Sequence, residues 1–192
     1  MPRGMWKTVN EELKALEQIT KPEQLRQFLD SEHEGVRRSA LSHKFFADHG
    51  NMIFALESFY PSVRQRVLRN PAIDHRHITV AIGSKYSDVR ELAVEHEHTD
   101  NLLHQLPYDI SKEFARKEIV EPLMQITRAL CEQYRKEHDP KVRAIMRARA
   151  GQMYDVLDKV MKKVSPDAAM GYKEGEQLQS MHRKLAELLK GR

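Results

Sequence analysis

Long apolar runs, cysteine and tryptophan are all scarce in this chain of 192 residues, and each shortage removes a class of explanation. No apolar stretch approaches the roughly 20 residues that a membrane-crossing helix needs. The opening residues, MPRGMWKTVNEELKAL, lack the apolar core of a secretory signal, so a reducing cytoplasm is the expected location. The one cysteine, Cys131, has no partner for an intramolecular disulfide, and its flanks, RALCEQY, suit a helix with a small thiol packed away. A glycine-rich phosphate loop, a nucleophile elbow and a cysteine cluster are all missing. Catalytic residues are therefore unknown, no cofactor is expected, and the chain reads as a binding protein more readily than as an enzyme.

What is present is charge, and it is unevenly spread. Charged residues make up 31% of the chain and the formal net charge is +4. Residues 1–110 hold 14 Lys and Arg against 16 Asp and Glu, a net of −2, whereas residues 111–192 hold 18 against 12, a net of +6. Affinity for a polyanion is thus expected mainly in the C-terminal half.

The N-terminal half repeats itself. Val36-Arg37, Val63-Arg64 and Val89-Arg90 lie 27 and 26 residues apart. Four and five places after each valine stand Ala40-Leu41, Val67-Leu68 and Ala93-Val94, and seven places after stand His43, Asn70 and His96. Asp48, Asp74 and Asp100 keep the same beat, as do Ser58 with Ser84 and Tyr60 with Tyr86; Phe28-Leu29 and Ser31 extend it backwards. The apolar positions fall on one side of a short helix. The His or Asn slot is expected to end that helix in a left-handed conformation, and each aspartate to cap the start of a second short helix. Thr20, ahead of Lys21-Pro22, is expected to cap the first unit in the same manner. Neither helix can bury its apolar side alone, and stacking of neighbouring units solves that.

The segments EGVRRSALSH, PSVRQRVLRNP and SDVRELAVEH resemble the leucine-rich-repeat-variant family, a relative in shape of HEAT-type helical repeats. The resemblance covers residues 20–110. It implies a curved right-handed solenoid of paired short helices, used mostly for binding, and it implies no activity.

From about Ser111 the beat fades and the helices lengthen. Residues 111–138 space Phe114, Ile119, Leu123, Ile126, Leu130 and Tyr134 as an amphipathic helix with Pro122 as a kink or local break; Asp139-Pro140 ends it and starts another, with Val142, Met146, Met153, Leu157, Val160 and Val164 in one stripe. Residues 165–175 read as a linker before a last helix carrying Leu178, Met181, Leu185 and Leu188. A capping helix over residues 9–19 places Leu13, Leu16 and Ile19. No segment reads as a strand. The expected fold is all-α: an N-terminal cap (1–19), helical repeats of about 26 residues (20–110) forming a short right-handed solenoid, and a region of longer helices (111–192).

Three groups of residues invite a function. The ladder Arg37, Arg64, Arg90 could grip phosphates or a partner, but the favoured reading is that each arginine pairs with a carboxylate in its own or the next unit. In the segment KVRAIMRARAGQMYDVLDKVMKK, Arg143 and Arg147 fall within about 40° on a helix, with Lys141 and Lys162 on the same broad side, so a nucleic acid has a candidate surface there. Asp155 and Asp158 interrupt it, and no aromatic platform is interleaved. Arg149 points to the apolar side and is expected to be ion-paired. The ten histidines include His75, His77, His96 and His98, but His96 shares a slot with Asn70 and His75 matches His49, so they are read as repeat positions without a metal. The expected function is non-enzymatic recognition of a protein partner. The alternatives are DNA or RNA binding through the basic C-terminal half, or kinship with HEAT-like DNA-repair glycosylases.

Overall fold

The computed structural model describes residues 8–109, 116–163 and 173–191, and among these every regular element is helical. None of the described helices is long and apolar enough to cross a membrane. The chain divides into two compact units, residues 1–73 and 74–192.

In the first unit, α1 (Val9–Glu17) starts at Thr8, whose side chain accepts the Glu11 amide while Glu11 accepts the Thr8 amide in return. A 3₁₀ turn (Pro22–Leu25) leads into α2 (Arg26–Leu29), followed by α3 (Glu34–Leu41), α4 (His49–Leu56) and α5 (Pro61–Leu68). Thr20 does not cap here as expected: the Gln24 side-chain oxygen reaches back instead and accepts the amides of both Thr20 and Lys21 at 2.9 Å. Asp48 does cap α4, accepting the Asn51 amide. The core is Leu25, Phe28, Leu29, Val36, Met52, Leu56, Val63 and Val67, all fully buried. Asn51 lies among them with its amide nitrogen donating to the carbonyls of Pro22 and Phe45, so its burial leaves no donor unmet.

The second unit begins with α6 (His75–Ile82), capped by Asp74, and α7 (Ser87–Val94). Next come α8 (Glu97–Asp109), a π-helical turn (Arg116–Val120), α9 (Glu121–Lys136), α10 (Pro140–Lys163) and α11 (Lys173–Leu189). Pro122 stands in the first turn of α9, directly after the π-helical turn, so the break expected at this proline falls where the π-helical turn passes into α9. Phe114, Val164 and most of the expected linker lie outside the described residues. Val142, Met146, Met153, Leu157 and Val160 are buried on α10, and Leu178, Met181, Leu185 and Leu188 on α11, as their spacing predicts. Asp100 was expected to cap a helix and does not. Only Glu95 and His96 separate α7 from α8, so the helix begins at Glu97 and leaves Asp100 inside its first turn.

The Val-Arg helices behave alike in both units. Val36, Val63 and Val89 are buried, as are Ala40, Val67 and Ala93. The slot seven residues after each valine is not left-handed, for no described residue other than glycine has a positive φ. Its side chain does the work. Nδ1 of His43 accepts the Phe45 amide, Oδ1 of Asn70 the Ala72 amide, and Nδ1 of His96 the His98 amide, at 3.2, 2.9 and 3.1 Å. Asn and His alternate there because both carry an acceptor at the same reach, two bonds beyond Cβ, able to hold the amide two residues on.

A further Val-Arg pair follows in the sequence. Val142-Arg143 stands 53 residues after Val89, about two repeat lengths. In the first unit α4 lies against α2 and α5 against α3; in the second, α9 lies against α6 and α10 against α7. The pair α9–α10 thus meets α6 and α7 as α4 and α5 meet α2 and α3, and α8 with the segment to Val120 intervenes in sequence.

Candidate binding site

Each repeat turn is built on a serine and an arginine. Ser31, Ser58 and Ser84 are buried, and their hydroxyls accept the amides of His33, Tyr60 and Tyr86, two residues on, at 3.1–3.3 Å. From the helix that follows, Nη1 of Arg37, Arg64 and Arg90 returns to the serine's own carbonyl at 2.7, 2.9 and 2.8 Å. Nη1 of Arg37 and Arg64 also donates to the next carbonyl, of Glu32 and Phe59. The arginines are buried because the turn would otherwise leave these carbonyls unsatisfied. Their expected partners were carboxylates; backbone carbonyls, which leave no mark in a sequence, take Nη1 in all three.

The remaining donors distinguish the arginines. At Arg90, Nε and Nη2 grip the carboxylate of Glu137 at 2.6 and 2.9 Å, a bidentate pair with both side chains buried. Burial pushes the Glu137 carboxyl up, but the bonds from Arg90 and from the Asp139 amide outweigh it and hold the group below its usual range. Glu137 stands five residues before Val142, as each serine stands before its valine, and it accepts the amide two residues on as they do. At Arg37 the guanidinium lies under the Tyr60 ring, 3.6 Å from its centroid, and Nε is buried with no acceptor among the described residues.

Between each serine and the Tyr or His that it bonds is a slot that varies: Glu32, Phe59 and Lys85, all exposed. Phe59 stands out at 77% exposure, its ring set edge-on to Tyr60 at 5.7 Å. No pattern in a single sequence marks this slot as special; only the bonds on either side of it do.

The basic C-terminal candidates are exposed, and each has an engagement within its own unit. Lys141 Nζ donates to Glu91 at 2.6 Å, which raises its pKa, and Lys162 pairs with Asp158 one turn away at 2.6 Å. Arg147 donates from Nη2 to the Leu189 carbonyl near the end of α11, and Arg143 sits over the Tyr134 ring at 4.8 Å. Among the described residues, Arg143 and Arg147 alone of the four have no carboxylate within reach. Arg149 is ion-paired as expected: Nε donates to the Val94 carbonyl at 2.7 Å and the guanidinium binds Asp100, the same aspartate that fails to cap α8. Beside this pair is an open cleft of about 470 Å³ lined by Glu95, Asp100, Ala144, Ile145, Ala148 and Gln152.

The histidines of the second unit serve its frame. His77 is buried, and its Nδ1 accepts the Asp74 amide while Asp74 accepts the His77 amide, a reciprocal cap at the start of α6. Burial works against the Asp74 charge, but bonds from Arg76 and the proximity of His77 keep its carboxyl well below the usual range. Burial, together with the fields of His96 and His75, lowers the pKa of His98. Cys131 is buried, with burial pushing its thiol up, and its Sγ lies 4.0 Å from the Lys184 carbonyl. No protein-family model, no curated protein and no solved structure matches this chain.

Proposed function

We propose that this chain is a non-enzymatic helical-repeat protein, a short right-handed solenoid of paired helices continued by longer ones, that recognises a protein partner through its repeat turns. The observation that carries the reading is the division of roles within each turn. The serine's bond to the amide two residues on and the arginine's Nη1 bond to the serine carbonyl recur from turn to turn, while the exposed slot between serine and the next capped residue is an acid, an aromatic and a cation in succession, Glu32, Phe59 and Lys85. A frame held constant with one outward position varied is how a repeat scaffold separates stability from specificity. A solvent-exposed phenylalanine on an otherwise well-buried apolar set supports a protein as the partner.

The test is affinity capture from the source cell with and without nuclease, using wild type and Phe59→Ala. A specific protein that survives nuclease and is lost with Phe59→Ala supports this reading; capture that vanishes with nuclease supports the second. That second reading is DNA or RNA binding through Arg143 and Arg147, favoured by their exposure, one turn apart, without carboxylate partners among the described residues. Replacing both with Glu should then weaken binding to a generic duplex and reduce the salt slope by about one for each lost contact. Wild type that binds no duplex at low salt removes the second reading.

A further inference from the structure

The cleft beside Arg149 has two walls of different chemistry. On one side, the end of α7 and the first turn of α8 supply the carboxylates of Glu95 and Asp100, both on exposed residues. On the other, α10 supplies Ile145 together with Ala144 and Ala148, one turn apart, whose side chains stop at Cβ and leave the space open. The volume of about 470 Å³ is in the range of pockets that hold a small group, roughly 300–1,000 Å³.

Charge in the cleft is unbalanced. The buried Arg149 is the one cation in its lining, and it binds Asp100 and the Val94 carbonyl. It therefore offsets one carboxylate and fixes its position, while the Asp100 side chain stays 58% exposed, open to a further donor. Glu95 makes no hydrogen bond or ion pair among the described residues, and Lys141, whose charge it feels, is bonded to Glu91. Glu95 also caps the C-terminus of α7, whose last turn holds no basic residue, so its charge faces the negative end of the helix. A cation placed there is favoured by both. Arg143 and Arg147 do not supply it, being set on the Tyr134 ring and the Leu189 carbonyl. The alanines and Ile145 add the second requirement, an aliphatic stem to lie against them.

We propose that this cleft is a docking site for a lysine or arginine side chain of a partner protein, with its charged head between Glu95 and Asp100 and its stem along Ala144, Ile145 and Ala148. The inference goes beyond the protein-binding reading, which rests on the repeat turns, and it fails independently of it.

The test uses the full chain and fluorescein-labelled heptapeptides with a central Lys or Arg between alanines, each paired with a norleucine counterpart that keeps a stem and lacks the charge. Binding is followed by polarisation in wild type, Glu95→Gln and Ala148→Phe. The first variant removes charge and the second fills the cleft without altering charge; both positions are exposed, so wild-type melting midpoints are expected. The expected result is at least tenfold tighter binding of a Lys or Arg peptide than of its norleucine counterpart, and at least tenfold weakening in each variant. Equal binding of charged and norleucine peptides, no binding of any peptide, or an unaltered affinity in Ala148→Phe overturns the proposal. Spermidine that binds as tightly as the peptides and displaces them reassigns the cleft to free polyamines and overturns it equally. A captured protein partner that is lost with Phe59→Ala but indifferent to Glu95→Gln and Ala148→Phe sinks this inference and leaves the broader reading in place.

Discussion

The turn before Arg37 and the turn before Arg90 begin from the same residues and end in different states. Both place a buried serine that holds the amide two residues on, and both fold an arginine back onto the serine carbonyl. In the second unit the arginine is completed by Glu137, 47 residues away in sequence; in the first it is covered by an aromatic ring. The repeat therefore specifies the inner half of each arginine's environment and leaves the outer half to whatever the neighbouring sequence supplies.

The largest effect should come from an attack on what the two turns share. Val63→Asp places a charge at a fully buried point with no partner, and Val89→Asp does the same in the second unit, so each should destabilise by roughly 3–5 kcal/mol. Denaturant unfolding checks both, and an unchanged midpoint for Val63→Asp would count against a repeat core. Next is the difference itself. Glu137→Ala leaves Arg90 buried without its carboxylate and should cost about 3 kcal/mol. Arg37→Gln removes bonds to neutral carbonyls and strands no buried carboxylate, so about 2 kcal/mol is expected from its lost bonds and ring contact. The reverse order by calorimetry would refute the asymmetry between the turns.

Acid should sharpen the same contrast. The Glu137 carboxyl titrates below its usual range when folded, against ~4.3 when unfolded, so its contribution is complete above that unfolded value. It is lost as pH falls through the folded value. Asp74 loses its contribution on acidification too, so the comparison is between chains: from pH 6 to pH 3 wild type should lose more stability than Glu137→Gln. Parallel pH profiles would mean that Glu137 is not held ionised by Arg90. The smallest effect belongs to the slot seven residues after the valine. Asn70→Ala gives up one amide bond and should cost about 1 kcal/mol, whereas Asn70→His, the residue of the other two units, should restore most of it. Equal thermal midpoints for the two variants would show that the acceptor is dispensable.

Much of this frame was legible in the sequence because it rests on side chains that recur. The buried valines, the caps at Asp48 and Asp74 and the stripes of α10 and α11 stand where spacing predicts them. The misreadings have physical causes. Asn70 and its histidine counterparts suggested a left-handed residue, because the same side chains that tolerate that conformation also cap amides without it. Asp100 kept the beat but lost the role, since a two-residue link moved the helix start to Glu97 and freed its carboxylate for Arg149. The likeness of Val142-Arg143 to the earlier Val-Arg pairs is hidden in the sequence, because Glu137 stands in place of the serine and the spacing is doubled. The candidate site was half visible: Arg37 could be named, but its acceptors are backbone carbonyls that leave no mark in one sequence.

The intervening α8 also bears on how the second unit comes together. In the first unit, neighbouring repeat helices meet across about one repeat of chain, and Arg37 closes a contact only six residues long. In the second, α6 must find α9, and Arg90 must find Glu137, across a loop nearly twice as long. Loop closure of that kind carries its entropic cost before the contact rewards it. The first unit is thus assembled from local contacts that can zip in order. The second waits on a distant segment, so its amides around Arg90 should become protected from hydrogen exchange only after α9 and α10 have docked.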